Sequence, residues 1–157
     1  MDHIQSELAQ SIAVAAHKGQ VDKAGKPYIE HPAHVAASVQ GDAAKAVAWL
    51  HDVVEDPPLT FADLREKGVA PEVIEALMLL TRDESVPYLE YVRSLKTNPL
   101  ARAVKLADLR HNSDLSRLPR ITEKDQRRAE KYAKAIAVLE GEGPEGWIDG
   151  RGPEGAN

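Results

Sequence analysis

The chain has no cysteine, which excludes disulfides, thiolate zinc sites and cysteine nucleophiles together. Aromatic residues are only 4% of the 157 positions, and alternation of β-branched residues is scarce, so little favours a sheet. No apolar run approaches the ~20 residues needed to cross a bilayer, and the N-terminus lacks a basic-then-apolar signal segment. An excess of positive charge is also missing: 20 Lys and Arg face 25 Asp and Glu, a formal net charge of −5. Duplex nucleic acid is therefore a poor partner, since no surplus of cations exists to release counterions. A small anionic ligand stays open, because a local basic cluster and a divalent metal overcome an unfavourable global charge. The expectation is a cytoplasmic protein with no membrane or nucleic-acid partner.

What the chain does have is alanine and helical periodicity. Leu8, Ile12, Ala15 and Ala16 fall on one face of a first helix ending near Gly19. Gln20 to Lys26 reads as a polar loop closed by Pro27. His31-Pro32 reads as a helix start with proline at the first helical position, and Val35, Ala36 and Val39 face inward before Gly41. Asp42 is expected to cap the next helix, which carries Ala46, Val47, Leu50 and Val54 inward until Pro57-Pro58. A short helix follows from Thr60 to Gly68, another after Pro71 with Val73, Leu77 and Leu80, and another from Pro87 through Lys96. Pro99 opens a longer one with Val104, Ala107 and Leu115, broken by Pro119. Thr122 launches the last, packed through Tyr132, Ile136 and Leu139. The expected architecture is all-α, a single-domain bundle of about seven to nine helices. It spans residues 1–140, followed by a flexible Gly/Pro-rich tail over 141–157.

The chemistry concentrates in His51-Asp52-Val53-Val54-Glu55-Asp56, one imidazole and three carboxylates within an apolar, helix-forming stretch. A helix that only fills a core would not carry them, because burying unpaired charge is costly. On a continuous helix His51 and Glu55 share one face, and Asp52 and Asp56 the next. Adjacent His51 and Asp52 then point about 100° apart and grip one ion only at a helix edge facing a cleft. The remaining ligands must come from other helices, with His31 and Asp108 the suppliers. Two imidazoles and two carboxylates favour Mn²⁺, Fe²⁺ or Co²⁺ over calcium, with zinc also compatible. Glu55 and Asp56 need not bind metal; carboxylates one turn away can hold and deprotonate a water molecule.

Three motifs carry a resemblance to a known family. His17-Lys18-Gly19-Gln20 with Lys23, Gly25 and Pro27-Tyr28-Ile29-Glu30-His31-Pro32 is similar to the opening motif of RelA/SpoT-type HD hydrolase domains. Leu50 to Asp56 resembles their second motif, and Val104-Lys105-Leu106-Ala107-Asp108 with His111-Asn112 resembles their third. The likeness runs in order over about residues 8–118. It implies a helical HD-domain fold with His31, His51, Asp52 and Asp108 binding one Mn²⁺, and Glu55 and Asp56 as the water-activating pair. The implied reaction removes the 3′-pyrophosphate of the nucleotide (p)ppGpp. Lys23, Lys105 and Asn112 are the implied substrate contacts, although a lone lysine is more often solvated and Asn112 equally suits a structural hydrogen bond.

The chain departs from that pattern in places that touch recognition. Asp22 stands where long family members carry an arginine that stacks on guanine, and an acidic group supplies no cation–π contact. Ser113-Asp114-Leu115 differs from the usual pocket-lining stretch, and Leu109-Arg110 reverses the common Arg-Leu order. Two alternatives are therefore kept: an HD hydrolase of another nucleotide or phosphoester, such as a nicotinamide cofactor phosphate, and a non-catalytic nucleotide-binding module.

Overall fold

A computed structural model of the chain describes residues 3–22, 24–53, 59–118 and 120–141. Lys23, Val54, Glu55, Asp56, Pro57-Pro58, Pro119 and all of the expected tail except Gly141 lie outside the described residues. The described residues form eight α-helices and two 3₁₀ turns, with no strand beyond an isolated bridge between Val21 and Pro27. The all-α expectation holds. None of the described helices is long and apolar enough to cross a membrane.

The centre of the bundle is α3 (Asp42–Leu50), which packs against α1 (Ile4–Ala16), α2 (Glu30–Ala37), α5 (Pro71–Leu80) and α7 (Pro99–Asn112). Its composition explains the position. Ala44, Ala46, Val47, Ala48 and Leu50 are buried, and short side chains leave a thin cylinder that neighbouring helices can approach on several sides. Around this centre, α4 (Phe61–Glu66) leans on α5, while α8 (Glu123–Glu140) covers α7 and α6 (Tyr88–Ser94). Thr60 with Asp63 and Thr122 with Asp125 form reciprocal capping boxes that set the starts of α4 and α8.

Several local expectations are corrected. The inward face of α1 is Ser6, Ala9, Ile12 and Ala13, with Ala15 exposed, because α3 approaches from that side. Pro32 is the third residue of α2 rather than the first, still within the turn whose N–H groups have no intrahelical partner. Leu115 leaves α7 for a 3₁₀ turn, Leu115–Arg117.

Asp42 does not cap its own helix. Gly41, at φ 96°, holds that N-cap, and this left-handed geometry suits a residue without Cβ. The Asp42 carboxylate instead accepts the backbone N–H groups of Gln5 (3.0 Å) and Ser6 (2.8 Å). One negative charge thus serves the positive ends of α1 and α3 at once.

The largest correction concerns α3 itself, which ends at Leu50. The Val53 N–H bonds the Leu50 carbonyl at 3.0 Å, and His51 Nδ1 turns back to the Ala48 carbonyl at 2.6 Å. These contacts satisfy terminal helix carbonyls and tighten residues 51–53 into a turn. His51 and Asp52 therefore sit just beyond the helix, and the shared face inferred for His51 and Glu55 from helical spacing no longer follows.

Candidate metal centre

Three separate segments deliver imidazoles and carboxylates to one place: the first turn of α2, the turn after α3 and the second half of α7. His31 Nε2 lies 2.8 Å from Asp108 Oδ1, and His51 Nε2 lies 3.4 Å from the same oxygen. Asp52 Oδ2 is 3.3 Å from His51 Nε2. The ligand atoms of His31, His51 and Asp108 all fall within 4.8 Å of one another. His31 and Asp108 are 6% and 7% exposed, so these groups face each other with little water between them.

The electrostatics follow from that enclosure. Burial would raise the Asp108 pKa, but the His31 hydrogen bond, the charge of the His51 imidazole 3.4 Å away and the Lys105 ammonium hold it well below the carboxylate range. Burial would likewise lower His51, yet the charge of Asp52, followed by Asp108, raises it to about 9. Burial also disfavours the Lys105 ammonium, and Asp108 more than offsets this, so its pKa rises. Without a cation, the His51 proton and the Lys105 ammonium offset the charge of Asp108.

The donor set fits a divalent cation, and His51 provides the test. Its Nδ1 is engaged by the Ala48 carbonyl, an acceptor, so that nitrogen carries the hydrogen. The other nitrogen, Nε2, is buried without a hydrogen-bond partner among the described residues, although two carboxylates lie within 3.4 Å. In metal-free protein a proton on Nε2 offsets those carboxylates; a cation shared by the imidazole and the carboxylates would take that proton's place.

The sequence candidates divide in this structure. His31, His51, Asp52 and Asp108 come together. Lys105 joins them, its Nζ 3.4 Å from Asp108 Oδ2, and Asn112 Nδ2 donates to Asp108 Oδ1 at 3.0 Å. Both are thus held by a site carboxylate. Lys23, Glu55 and Asp56 lie outside the described residues.

Two participants were quoted in the motifs but given no role. The Tyr28 hydroxyl donates to Asp52 Oδ2, and His111 Nδ1 meets His31 Nδ1 at 2.7 Å while its ring stacks on His34 at 4.1 Å. A signal for His111 exists, since His111 follows Asp108 by three residues and shares its helix face. Tyr28 carries no such periodic signal. Asp22 also gains a local explanation: its carboxylate accepts the N–H groups of Ala24 and Lys26 and shapes the opening loop around Gly25.

No family model matches the chain. A solved structure, of a metazoan ortholog of SpoT that hydrolyzes ppGpp and plays a role in starvation responses, matches with a TM-score of 0.69 at 25% identity. That match covers 92% of this chain and 90% of the other. The helical bundle is that of an HD-domain protein.

The bifunctional (p)ppGpp synthase/hydrolase SpoT of Escherichia coli (strain K12) is 36% identical over 122 residues, covering 67% of this chain. This chain spans 17% of that protein's length. The guanosine-3′,5′-bis(diphosphate) 3′-pyrophosphohydrolase MESH1 of Mus musculus is 31% identical over 152 residues, covering 87% of this chain and 84% of that protein. The chain belongs to the guanosine-3′,5′-bis(diphosphate) 3′-pyrophosphohydrolase family.

Proposed function

We propose that this chain, as one domain over residues 1–140, hydrolyses guanosine 3′,5′-bis(diphosphate) to GDP and pyrophosphate. The observation that carries the reading is the convergence of His31, His51 and Asp108 within 4.8 Å, with Asp52 beside them. These four would hold one divalent cation, and the mixed nitrogen and oxygen donors suit Mn²⁺. When bound, the ion lowers the pKa of water and withdraws charge from a phosphoryl oxygen. The cytoplasmic location expected from the sequence belongs to the same proposal.

The chain's own residues supply the rest. The Ala48 carbonyl fixes the His51 tautomer, Tyr28 orients Asp52, and Asn112 and Lys105 orient Asp108. Such outer partners keep ligands aimed before any ion arrives. Glu55 and Asp56 would take the proton from the attacking water and hold its oxygen in line with the phosphorus. A cavity of about 380 Å³, walled in part by Tyr28, Asn112, Leu115 and Tyr132, opens at His31 and has the size and mixed lining that suit a nucleoside.

The deciding experiment incubates the Mn²⁺-loaded protein with ppGpp and follows both products. Equal release of GDP and pyrophosphate is expected; a folded, metal-loaded protein that releases neither refutes the proposal. A second reading, hydrolysis of another phosphoester, is favoured by Asp22, an acidic group on the wall of this cavity. A panel including nicotinamide cofactor phosphates separates them, since that reading expects phosphate in place of pyrophosphate.

A further inference from the structure

The histidine–aspartate cluster stands between two cavities of different character. His31 lines the larger one, whereas His51, Asp52 and Asp108 line a second cavity of about 180 Å³. The rest of its lining includes Arg82, Tyr88 and Lys105, from the segment after α5, the start of α6 and the middle of α7.

Two polar atoms in that lining have no hydrogen-bond partner among the described residues: Nε of Arg82 and the hydroxyl of Tyr88, both buried. An unmade hydrogen bond on a buried donor is costly, and two in one small cavity point to an acceptor that arrives from outside. Cations gather at the same place. The Arg82 guanidinium lies 5.3 Å from the Tyr88 ring centroid and Lys131 Nζ lies 4.2 Å from it. Lys105 Nζ lies 5.6 Å from the Tyr91 ring. Arg82 donates one guanidinium N–H to the Val86 carbonyl at 3.2 Å, which positions its head without neutralising it. In a chain of net charge −5, this is a local gathering of cations beside the site aspartates.

We infer that the smaller cavity receives the departing pyrophosphate, with Arg82, Tyr88 and Lys105 donating to its oxygens, while the nucleoside occupies the larger cavity. The inference rests on the pyrophosphohydrolase reading above. In that reaction a water oxygen bonds to the phosphorus next to the ribose and the P–O3′ bond breaks. O3′ takes up a proton, and both phosphates leave together. Asp52 and Asp108 would repel so charged a product, and a divalent cation held by them would offset that repulsion. Arg82, Tyr88 and Lys105 would then donate to the phosphate oxygens.

The test is calorimetric titration of inorganic pyrophosphate, and separately of GDP, into Mn²⁺-loaded protein and its variants. Arg82→Gln is expected to weaken pyrophosphate roughly 10-fold and to leave GDP within about twofold, with Arg82→Lys recovering part of the loss. Tyr88→Phe is expected to weaken pyrophosphate about threefold without lowering the melting temperature of the ligand-free protein, because its hydroxyl has no partner to lose. Tyr88→Phe keeps the ring between the cations and carries the test if Arg82→Gln does not fold. Wild-type protein that binds no pyrophosphate overturns the inference. So does pyrophosphate affinity unchanged in the folded variants, or GDP weakened in equal measure. The underlying reading fails separately: no ppGpp turnover with pyrophosphate still weakened by Arg82→Gln removes the substrate and keeps the anion cavity.

Discussion

Replacing Asp108 with Asn changes one oxygen to an amide and removes the charge that Lys105, His31 and His51 share. The side chain keeps one acceptor for the His31 contact at 2.8 Å, so shape and that hydrogen bond are preserved. The Lys105 ammonium, 3.4 Å from Asp108 in a side chain 17% exposed, loses its counter-charge. Removing one partner of a buried pair costs about 3–5 kcal/mol; the long Lys105 contact places this case near 3. For a chain of this size that is a fall of roughly 6–12 °C in melting temperature.

In metal-free protein His51 is raised from 6.5 to about 9. A raised pKa contributes stability that is fully present below pH 6.5 and is lost as pH rises through about 9. The parent should therefore weaken across that window, and Asp108→Asn should weaken less, because one of the charges holding the His51 proton is gone. Urea or thermal unfolding of metal-free protein from pH 6 to 9.5 measures both effects. A variant within about 2 °C of the parent at pH 6.5, well under the fall worked above, would show that Asp108 is not the shared counter-charge.

Tyr28→Phe removes the hydroxyl that holds Asp52 and should lower divalent-metal affinity about 10–100-fold, read by titration against a metal-sensitive dye, with the fold unchanged. Glu55→Ala should keep full metal stoichiometry by elemental analysis while kcat falls about 10²–10⁴-fold; loss of the metal would place Glu55 among the ligands instead. Asp42→Ala should destabilise by about 1 kcal/mol at pH 7 through loss of the cap on α1. Burial alone would raise the Asp42 pKa, but the Ser6 and Gln5 N–H groups lower it. Its contribution is present above about pH 4 and disappears as pH falls through the depressed value, so parent and variant should converge in acid.

Helix content, most helix positions and the types of the site residues were legible in the chain because they are local properties. Thr60 and Thr122 each stand directly before a helix with an aspartate three residues on, and Pro71 and Pro99 sit in first turns. His31, His51, Asp52 and Asp108 were identifiable because titratable groups among apolar neighbours need partners. The end of α3 at Leu50 was not legible, since it depends on whether His51 completes a turn or continues the helix, and both suit the same residues.

What only the tertiary structure decided is where distant groups meet. Asp42 caps a helix some thirty-seven positions earlier, and His31 reaches Asp108 across seventy-seven. Arg82, Tyr88 and Lys105 line one cavity although no spacing rule links them. Hydrogen-bonding capacity and helical period are carried by each stretch of chain, whereas distance, burial and an unmet donor exist only once the helices have packed.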